Sequence, residues 1–391
     1  MYKIKRFLAV FIAFALLLCM PSNLMAQTES AAPEISAQSA ILMEASTGKI
    51  LYEKDSSIAL PPASITKIMT ILLIYENQKD GKFNWDDMVN VSEHAASMGG
   101  SQVFLEPGEE QSASELTKCI VIASANDAAV AMAEFIGGSE DGFVQMMNEK
   151  AKELGMNDTV FINACGLDTD GHVSSAKDIA IMSRELITNF PEVREYTTTW
   201  VDTITHKTRK GETEFGLTNT NKLIKWYSGA TGLKTGSTGL AKYCLSATAE
   251  RNGMELIAVI MAAENNTARF QEAMKLLDYG FGNYEVKKLC DKGSDCGTIQ
   301  VLKGGAEFVQ VKTASDVSAL IKKGQGQDIT EQKQIYESLE APFDAGCKAG
   351  EIVYYFSDGS EAGKTDIITA QGVEKAGIEQ NINNVIKKWI Y

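Results

Sequence analysis

The spacing of apolar and polar residues divides the chain into successive parts. Near the start, Ala40 to Glu44 and Lys49 to Glu53 flank Ala45-Ser46-Thr47-Gly48 and predict two antiparallel strands around a turn. Pro61 and Pro62 stop regular structure. From Ser64 to Tyr75 the apolar residues surround the helical cylinder instead of forming one stripe, which predicts a helix buried at the centre of a domain. Three further helices carry start signals: Ser112 with Glu115 before Leu116 to Ile122, Ser139 before Phe143 to Leu154, and Ser175 with Asp178 before a run to Asn189. Alternation returns at Tyr243, Leu245 and Ala247, and Asn252-Gly253 makes a tight turn into Glu255 to Met261.

Strands at both ends with helices between imply one sheet closed by partners distant in sequence. From Glu285 onward, short segments such as Thr298 to Val301, Glu307 to Val311 and Glu351 to Phe356 lie between Gly-rich turns and predict a small β-rich second domain. At the C-terminus Ile382, Val385, Ile386, Trp389 and Ile390 fall on one helical face, so 379–391 is expected to be an amphipathic helix. It either docks on a membrane surface or packs on the β-rich domain. The first 26 residues read as a secretion signal: Lys3, Lys5 and Arg6, the apolar run Phe7 to Met20, and cleavage after Ala26. Cys19 after three leucines makes a lipoprotein leader a minor alternative. The expected organisation is a signal at 1–26, a tether at 27–38, a first domain at 39–283, a β-rich domain at 284–378 and the terminal helix.

With 391 residues, 45% hydrophobic and 23% charged, the composition is that of a foldable globular protein. Loss of Lys3, Lys5 and Arg6 with the leader takes the formal charge from −14 to about −17, which excludes nucleic-acid binding through phosphates. Six cysteines follow Cys19, at irregular spacings that match no metal knuckle, and Cys290 and Cys296 either pair or stay reduced. Only three histidines, His94, His172 and His206, argue against a zinc peptidase. No metal or cofactor is expected.

Ser64 and Lys67 stand i, i+3 on the buried helix, on one face and one turn apart. A serine hydroxyl needs a nearby base, and a lysine serves if burial and a second cation hold it neutral. The pair alone is not decisive, because Ser174 and Lys177 share the spacing and read as a surface cap. Order is more telling: Ser124-Ala125-Asn126 and then Lys234-Thr235-Gly236 follow, the sequence of elements that marks penicillin-binding proteins and class A β-lactamases. Ala125 departs from that pattern. Taken singly, Asn126 is equally a helix cap, Lys234 and Thr235 an exposed strand edge, Arg251 a solvated hairpin charge, and Cys165 and His172 structural.

The whole set resembles the low-molecular-mass penicillin-binding D-alanyl-D-alanine carboxypeptidases, peptidase family S11, in particular their sporulation-type branch. The likeness extends through Gly99-Gly100-Ser101-Gln102, Leu105-Glu106-Pro107-Gly108, Phe161 to Leu167 and Gly232 to Thr238. It implies an α/β (α+β) penicillin-binding/β-lactamase-like domain, with an antiparallel sheet and a helical subdomain, followed by a small β-rich domain. It also implies roles: Ser64 as nucleophile, Lys67 as general base, Ser124 as proton relay and Asn126 on the substrate amide. Lys234 would lower the proton affinity of Lys67 and, with Thr235, hold the substrate carboxylate. Gly236 would let the strand come close, and the N–H groups of Ser64 and Ser237 would form the oxyanion hole. The implied substrates are peptidoglycan stem peptides, with β-lactams as covalent inhibitors, at the outer face of the cytoplasmic membrane. A β-lactamase and a catalytically silent wall-binding protein are the alternatives. The stretch Val160 to Asp170, which supplies Asn163 and Asp168 but no glutamate, argues against the first.

Overall fold

The computed structural model describes residues 31–208, 211–324 and 328–377. The expected leader at 1–26 and terminal helix at 379–391 therefore lie outside the described residues.

Strands β1 (Ser39–Glu44) and β2 (Ile50–Lys54) open the first domain, and a 3-10 turn at Ala63–Thr66 leads into helix α1 (Lys67–Lys79). A two-stranded ribbon, β3 (Met88–Asn90) with β4 (Glu110–Ser112), precedes α2 (Ala113–Ile122), α3 (Asn126–Gly137), α4 (Glu140–Glu153) and α5 (Ala176–Asn189). Next come the hairpin β5 (Val201–Thr208) and β6 (Gly211–Thr218), the strands β7 (Ala230–Thr238), β8 (Lys242–Arg251) and β9 (Met254–Ala263), and α6 (Asn266–Asn283). The central sheet has the order β2-β1-β9-β8-β7 and is antiparallel throughout, so the first strands and the last close one sheet.

Helices cover both faces of this sheet, which is why β1 is buried at all six positions and β9 at nine of ten. Ile41 and Met43 of β1 point into the core formed with α1, α2, α3 and α5. Ala40 and Leu42 point the other way, against Phe270, Leu276 and Leu277 of α6. Ten of the thirteen residues of α1 are buried, in agreement with an apolar pattern that runs all round it. Ser112, Ser139 and Ser175 each cap the expected helix by accepting from the backbone N–H three residues on, of Glu115, Gly142 and Asp178.

Four readings change. Ser174 is buried and hydrogen-bonded to Thr159, so only Ser175 caps the helix and the Ser174–Lys177 pair is no surface cap. Asn126 is the first residue of α3, not its cap; Ala125 holds the cap position without a side-chain hydrogen bond. Residues expected to tether the domain are docked at their end: Lys54 Nζ donates to the carbonyls of Ile35 and Ala37, and Glu272 accepts from Ser36 and Ala37. Arg251 is not a solvated charge, since it stacks on Tyr227 and Phe281.

Beyond α6 the described residues form strands and turns, with no helix among them. Strand β10 (Tyr284–Cys290) pairs with β13 (Val317–Lys322). A six-stranded sheet, in the order β14-β16-β17-β12-β11-β15, combines β11 (Asp295–Leu302), β12 (Phe308–Thr313), β14 (Ile329–Ile335), β15 (Ser338–Glu340), β16 (Lys348–Phe356) and β17 (Glu361–Thr369). Val309, Val311, Ile352 and Ile367 form its core. The six described cysteines, Cys290 and Cys296 among them, are free thiols.

Candidate active site

The 3-10 turn ahead of α1 places Ser64 partly exposed at the helix start, one turn before a fully buried Lys67. Lys67 Nζ lies 3.0 Å from Ser64 Oγ, 2.6 Å from Asn126 Oδ1 and 2.7 Å from the carbonyl oxygen of Cys165. Three acceptors match the three N–H bonds of an ammonium. Loss of one proton leaves two donors for Asn126 and Cys165 and aims the lone pair at the Ser64 hydroxyl. Burial favours that form, since it lowers the lysine pKa to about 8, against the opposing pull of Cys165 and Asp127.

The orientation of Asn126 is fixed from behind. Its backbone N–H donates to Ser101 O (2.7 Å) and its Nδ2 to Gly99 O (2.6 Å), which leaves Oδ1 for Lys67. Gly100 permits this approach, because a Cβ there would sit 2.9 Å from Asn126 Nδ2. Ser124 lies two residues earlier in the break between α2 and α3, buried, with its backbone left-handed at φ 62°.

The opposite wall is the edge strand β7. A Cβ on Gly236 would lie 2.8 Å from Ser64 N, so strand and turn are in backbone contact there, with Ser237 exposed beside them. Lys234 is 1% exposed, and among the described residues its amine donates to the Thr235 carbonyl, at 3.2 Å. Burial drives its pKa well below the usual lysine value, and the charges of Lys67 and Arg269 push the same way. Thr235 Oγ1 donates to Thr220 Oγ1 at 2.7 Å. From α6, Arg269 donates to the carbonyls of Gly236 (2.9 Å) and Cys244 (3.2 Å) and ties β7 and β8 together.

The floor is the loop at 163–168. Asn163 Oδ1 accepts from the N–H groups of Gly166 (2.7 Å) and Leu167 (3.1 Å), which curls the loop and points the Cys165 carbonyl at Lys67. Gly166 is left-handed (φ 85°), and a Cβ there would lie 1.9 Å from Ala63 O, so the loop seats directly under the serine turn. His172 accepts at Nδ1 from Ile162 N (3.1 Å) and donates from Nε2 to Thr66 Oγ1 (2.9 Å). Burial holds its pKa near 4, so it stays neutral and braces the turn. Asp168 accepts from Thr238 Oγ1 (2.6 Å) and Leu240 N (3.3 Å), and Glu140 accepts from Ala164 N (3.0 Å). Both carboxylates are thus engaged at the rim of the site.

Residues 25–265 match the family described as D-alanyl-D-alanine carboxypeptidase, peptidase S11. The chain belongs to that family. Residues 284–375 match the C-terminal domain of penicillin-binding protein 5. The chain is 42% identical to D-alanyl-D-alanine carboxypeptidase DacF of Bacillus subtilis, over 98% of this chain and 99% of the relative. It is 34% identical to DacC of Escherichia coli, over 93% and 90%. Among solved structures, penicillin-binding protein 5 of Haemophilus influenzae superposes with a TM-score of 0.72 at 30% identity, over 88% of this chain and all of that one. The Streptomyces K15 DD-transpeptidase gives 0.61 at 29% identity, and covers 64% of this chain and 99% of its own.

In this S11 chain the fold brings Ser64, Lys67, Asn126 and Gly236 into direct contact, with Lys234, Thr235 and Ser237 on the facing strand and Ser124 in the loop that carries Asn126. Sequence reasoning missed the Cys165 carbonyl, because a backbone acceptor leaves no trace in residue identity. It also missed Arg269, whose only signal is its place in the first turn of a helix capped by Asn265.

Proposed function

We propose that the protein is a penicillin-sensitive serine D-alanyl-D-alanine carboxypeptidase, which releases the terminal D-alanine of peptidoglycan stem peptides through an acyl-enzyme on Ser64. One observation carries the reading: a fully buried lysine, held by the Asn126 Oδ1 and Cys165 carbonyl oxygens, stands 3.0 Å from a serine hydroxyl. Neutral Lys67 takes the proton as Ser64 Oγ bonds to the carbonyl carbon between the two D-alanines. The N–H groups of Ser64 and Ser237 hold the resulting oxyanion. Ser124 passes the proton to the departing D-alanine nitrogen, the C–N bond breaks, and water later cleaves the ester. Lys234 and Thr235 take the substrate's terminal carboxylate, an anion that offsets the cost of burying that ammonium, and Asn126 positions the substrate amide.

In this reading the protein works outside the cytoplasmic membrane. The leader pattern of 1–26 supports export, and the amphipathic pattern of 379–391 supports contact with the membrane surface. Among the described residues no helix is long and apolar enough to span a bilayer.

The test is release of D-alanine from a diacyl D-alanyl-D-alanine peptide, with and without penicillin. Ser64→Ala lowers release by about 10⁴- to 10⁶-fold and removes the penicillin adduct seen by intact-protein mass spectrometry. Lys67→Ala lowers release by about 10²- to 10⁴-fold. Equal release by wild type and Ser64→Ala overturns the assignment. Rapid turnover of penicillin without a lasting adduct turns the reading toward a β-lactamase.

A further inference from the structure

Directly after Asn126 stands a carboxylate with no access to solvent that the proposed chemistry does not use, that of Asp127. Its Oδ2 accepts from Val103 N and Leu105 N, each at 3.1 Å, and its Oδ1 accepts from Val103 N (3.2 Å) and Ala128 N (2.9 Å). Phe104, between the two anchored residues, is left-handed (φ 64°) and 60% exposed. That backbone turns the flanking N–H groups toward one anion, as in the concave amide sites that bind phosphates. A buried carboxylate is costly unless hydrogen bonds satisfy it, and here the segment at 99–105 supplies them.

The same segment grips Asn126. Carbonyls of Gly99 and Ser101 accept from the Asn126 side chain and backbone, while N–H groups of Val103 and Leu105 donate to Asp127. Two adjacent residues at the start of α3 are thus joined to one segment by bonds of opposite polarity. A slide of the segment along the helix breaks both sets together.

We propose that Asp127 is a positioning residue, whose carboxylate locks the 99–105 segment to the start of α3 and so fixes the Asn126 amide between Lys67 and the cleft. The inference rests on the acyl-enzyme reading and deepens it. A charged lock also acts on the base. Lys67 faces Asp127 from α3, the Cys165 thiol from the loop at 163–168, and Lys234 from β7. The first two favour its protonated form, and Lys67 in turn lowers the pKa of Lys234. A merely structural brace leaves the ionisation of Lys67 alone, and this one does not.

The experiment compares full-length wild type with Asp127→Asn, which keeps the size and one acceptor oxygen but removes the charge. Ser64 acylation by a fluorescent penicillin is followed against pH, beside D-alanine release and the melting temperature. The expected result for Asp127→Asn is acylation slower by about 10- to 100-fold, with the acid limb of the pH profile moved to lower pH. Gly100→Ala strains the same lock from the other side without touching the charge. It is expected to slow acylation with the limb unmoved, and it tests the lock even if Asp127→Asn does not fold. Wild-type rates and limb in Asp127→Asn, or wild-type acylation in Gly100→Ala, overturn the proposal. Absence of any Ser64 adduct in the wild type overturns the acyl-enzyme reading instead, and the proposal with it.

Discussion

Desolvation dominates the chemistry of Lys67. Sealed from water, the side chain gives up its proton near pH 8, and burial, not the second cation, is the largest cause. Of the two causes expected to hold Lys67 neutral, burial and a second cation, burial is the larger. Both amines are depressed mainly by burial, and among the described residues the one without a side-chain acceptor is Lys234. Because the folded value of Lys67 lies below the 10.5 of a free lysine, its burial costs stability at neutral pH. That cost is relieved as the pH rises from about 8 toward 10.5. For the reaction, acylation of Ser64 is expected to fall as the pH drops below about 8, because protonation occupies the lone pair that must take the hydroxyl proton. Stopped-flow acylation across that range checks it, and a limb centred in the carboxylate range would point to a different base. The residues with side-chain chemistry were legible in sequence because their types and order are rare in combination. The Cys165 carbonyl and the 99–105 backbone were not, since any residue type supplies a C=O or an N–H.

Edge strand β7 turns separate residues into a cleft. It is held to β8 by register, Lys234 opposite Ser246 and Gly236 opposite Cys244, and by the Arg269 guanidinium across two carbonyls. Its contact with the serine turn depends on the missing side chain of Gly236. Gly236→Ala is expected to push the strand off the Ser64 N–H, where a Cβ would lie at 2.8 Å, and to slow acylation by about 10²-fold. The melting temperature should fall only slightly, because the strand is an edge and can shift outward. Acylation at the wild-type rate would show that the strand does not bound the reacting centre. Elements with local signals were the readable ones: a capping serine works within four residues, so the starts of α2, α4 and α5 stood out. The β5–β6 hairpin did not, since Ile204, His206 and Leu217 are its buried residues and its other described positions are at least partly exposed and mainly polar. Helix α6 has Gly280 and Gly282 near its end, which weaken its helical pattern. Gly280 is there for packing, as a Cβ would meet Leu256 Cδ1 at 2.5 Å.

On the scale of the molecule, every group proposed to act on substrate lies between Ser64 and Ser237, and the most distant residue that braces them, Arg269, is still in the first domain. The β-rich domain has its own core, and the Streptomyces K15 enzyme matches 64% of this chain while 99% of its own length is covered. Catalysis should therefore survive removal of everything after Asn283. The domains are not independent in stability, however. Leu320 of β13 is packed into the α6 side of the first domain, Lys323 donates to the carbonyls of Asn283 and Phe281, and Lys49 sits over the Phe356 ring at 5.2 Å. Re-exposing the apolar surface under one leucine costs about 1.5–3 kcal/mol. A domain of this size then melts roughly 3–12 °C lower. A chain ending at Asn283 is expected to acylate with penicillin within about threefold of the full-length rate, a difference under 1 kcal/mol in the barrier, and to melt lower by that margin. The two readouts separate the possibilities: a folded truncation that no longer acylates would mean that the β-rich domain shapes the site through the sheet, and an unchanged melting temperature would mean that the Leu320 contact contributes nothing.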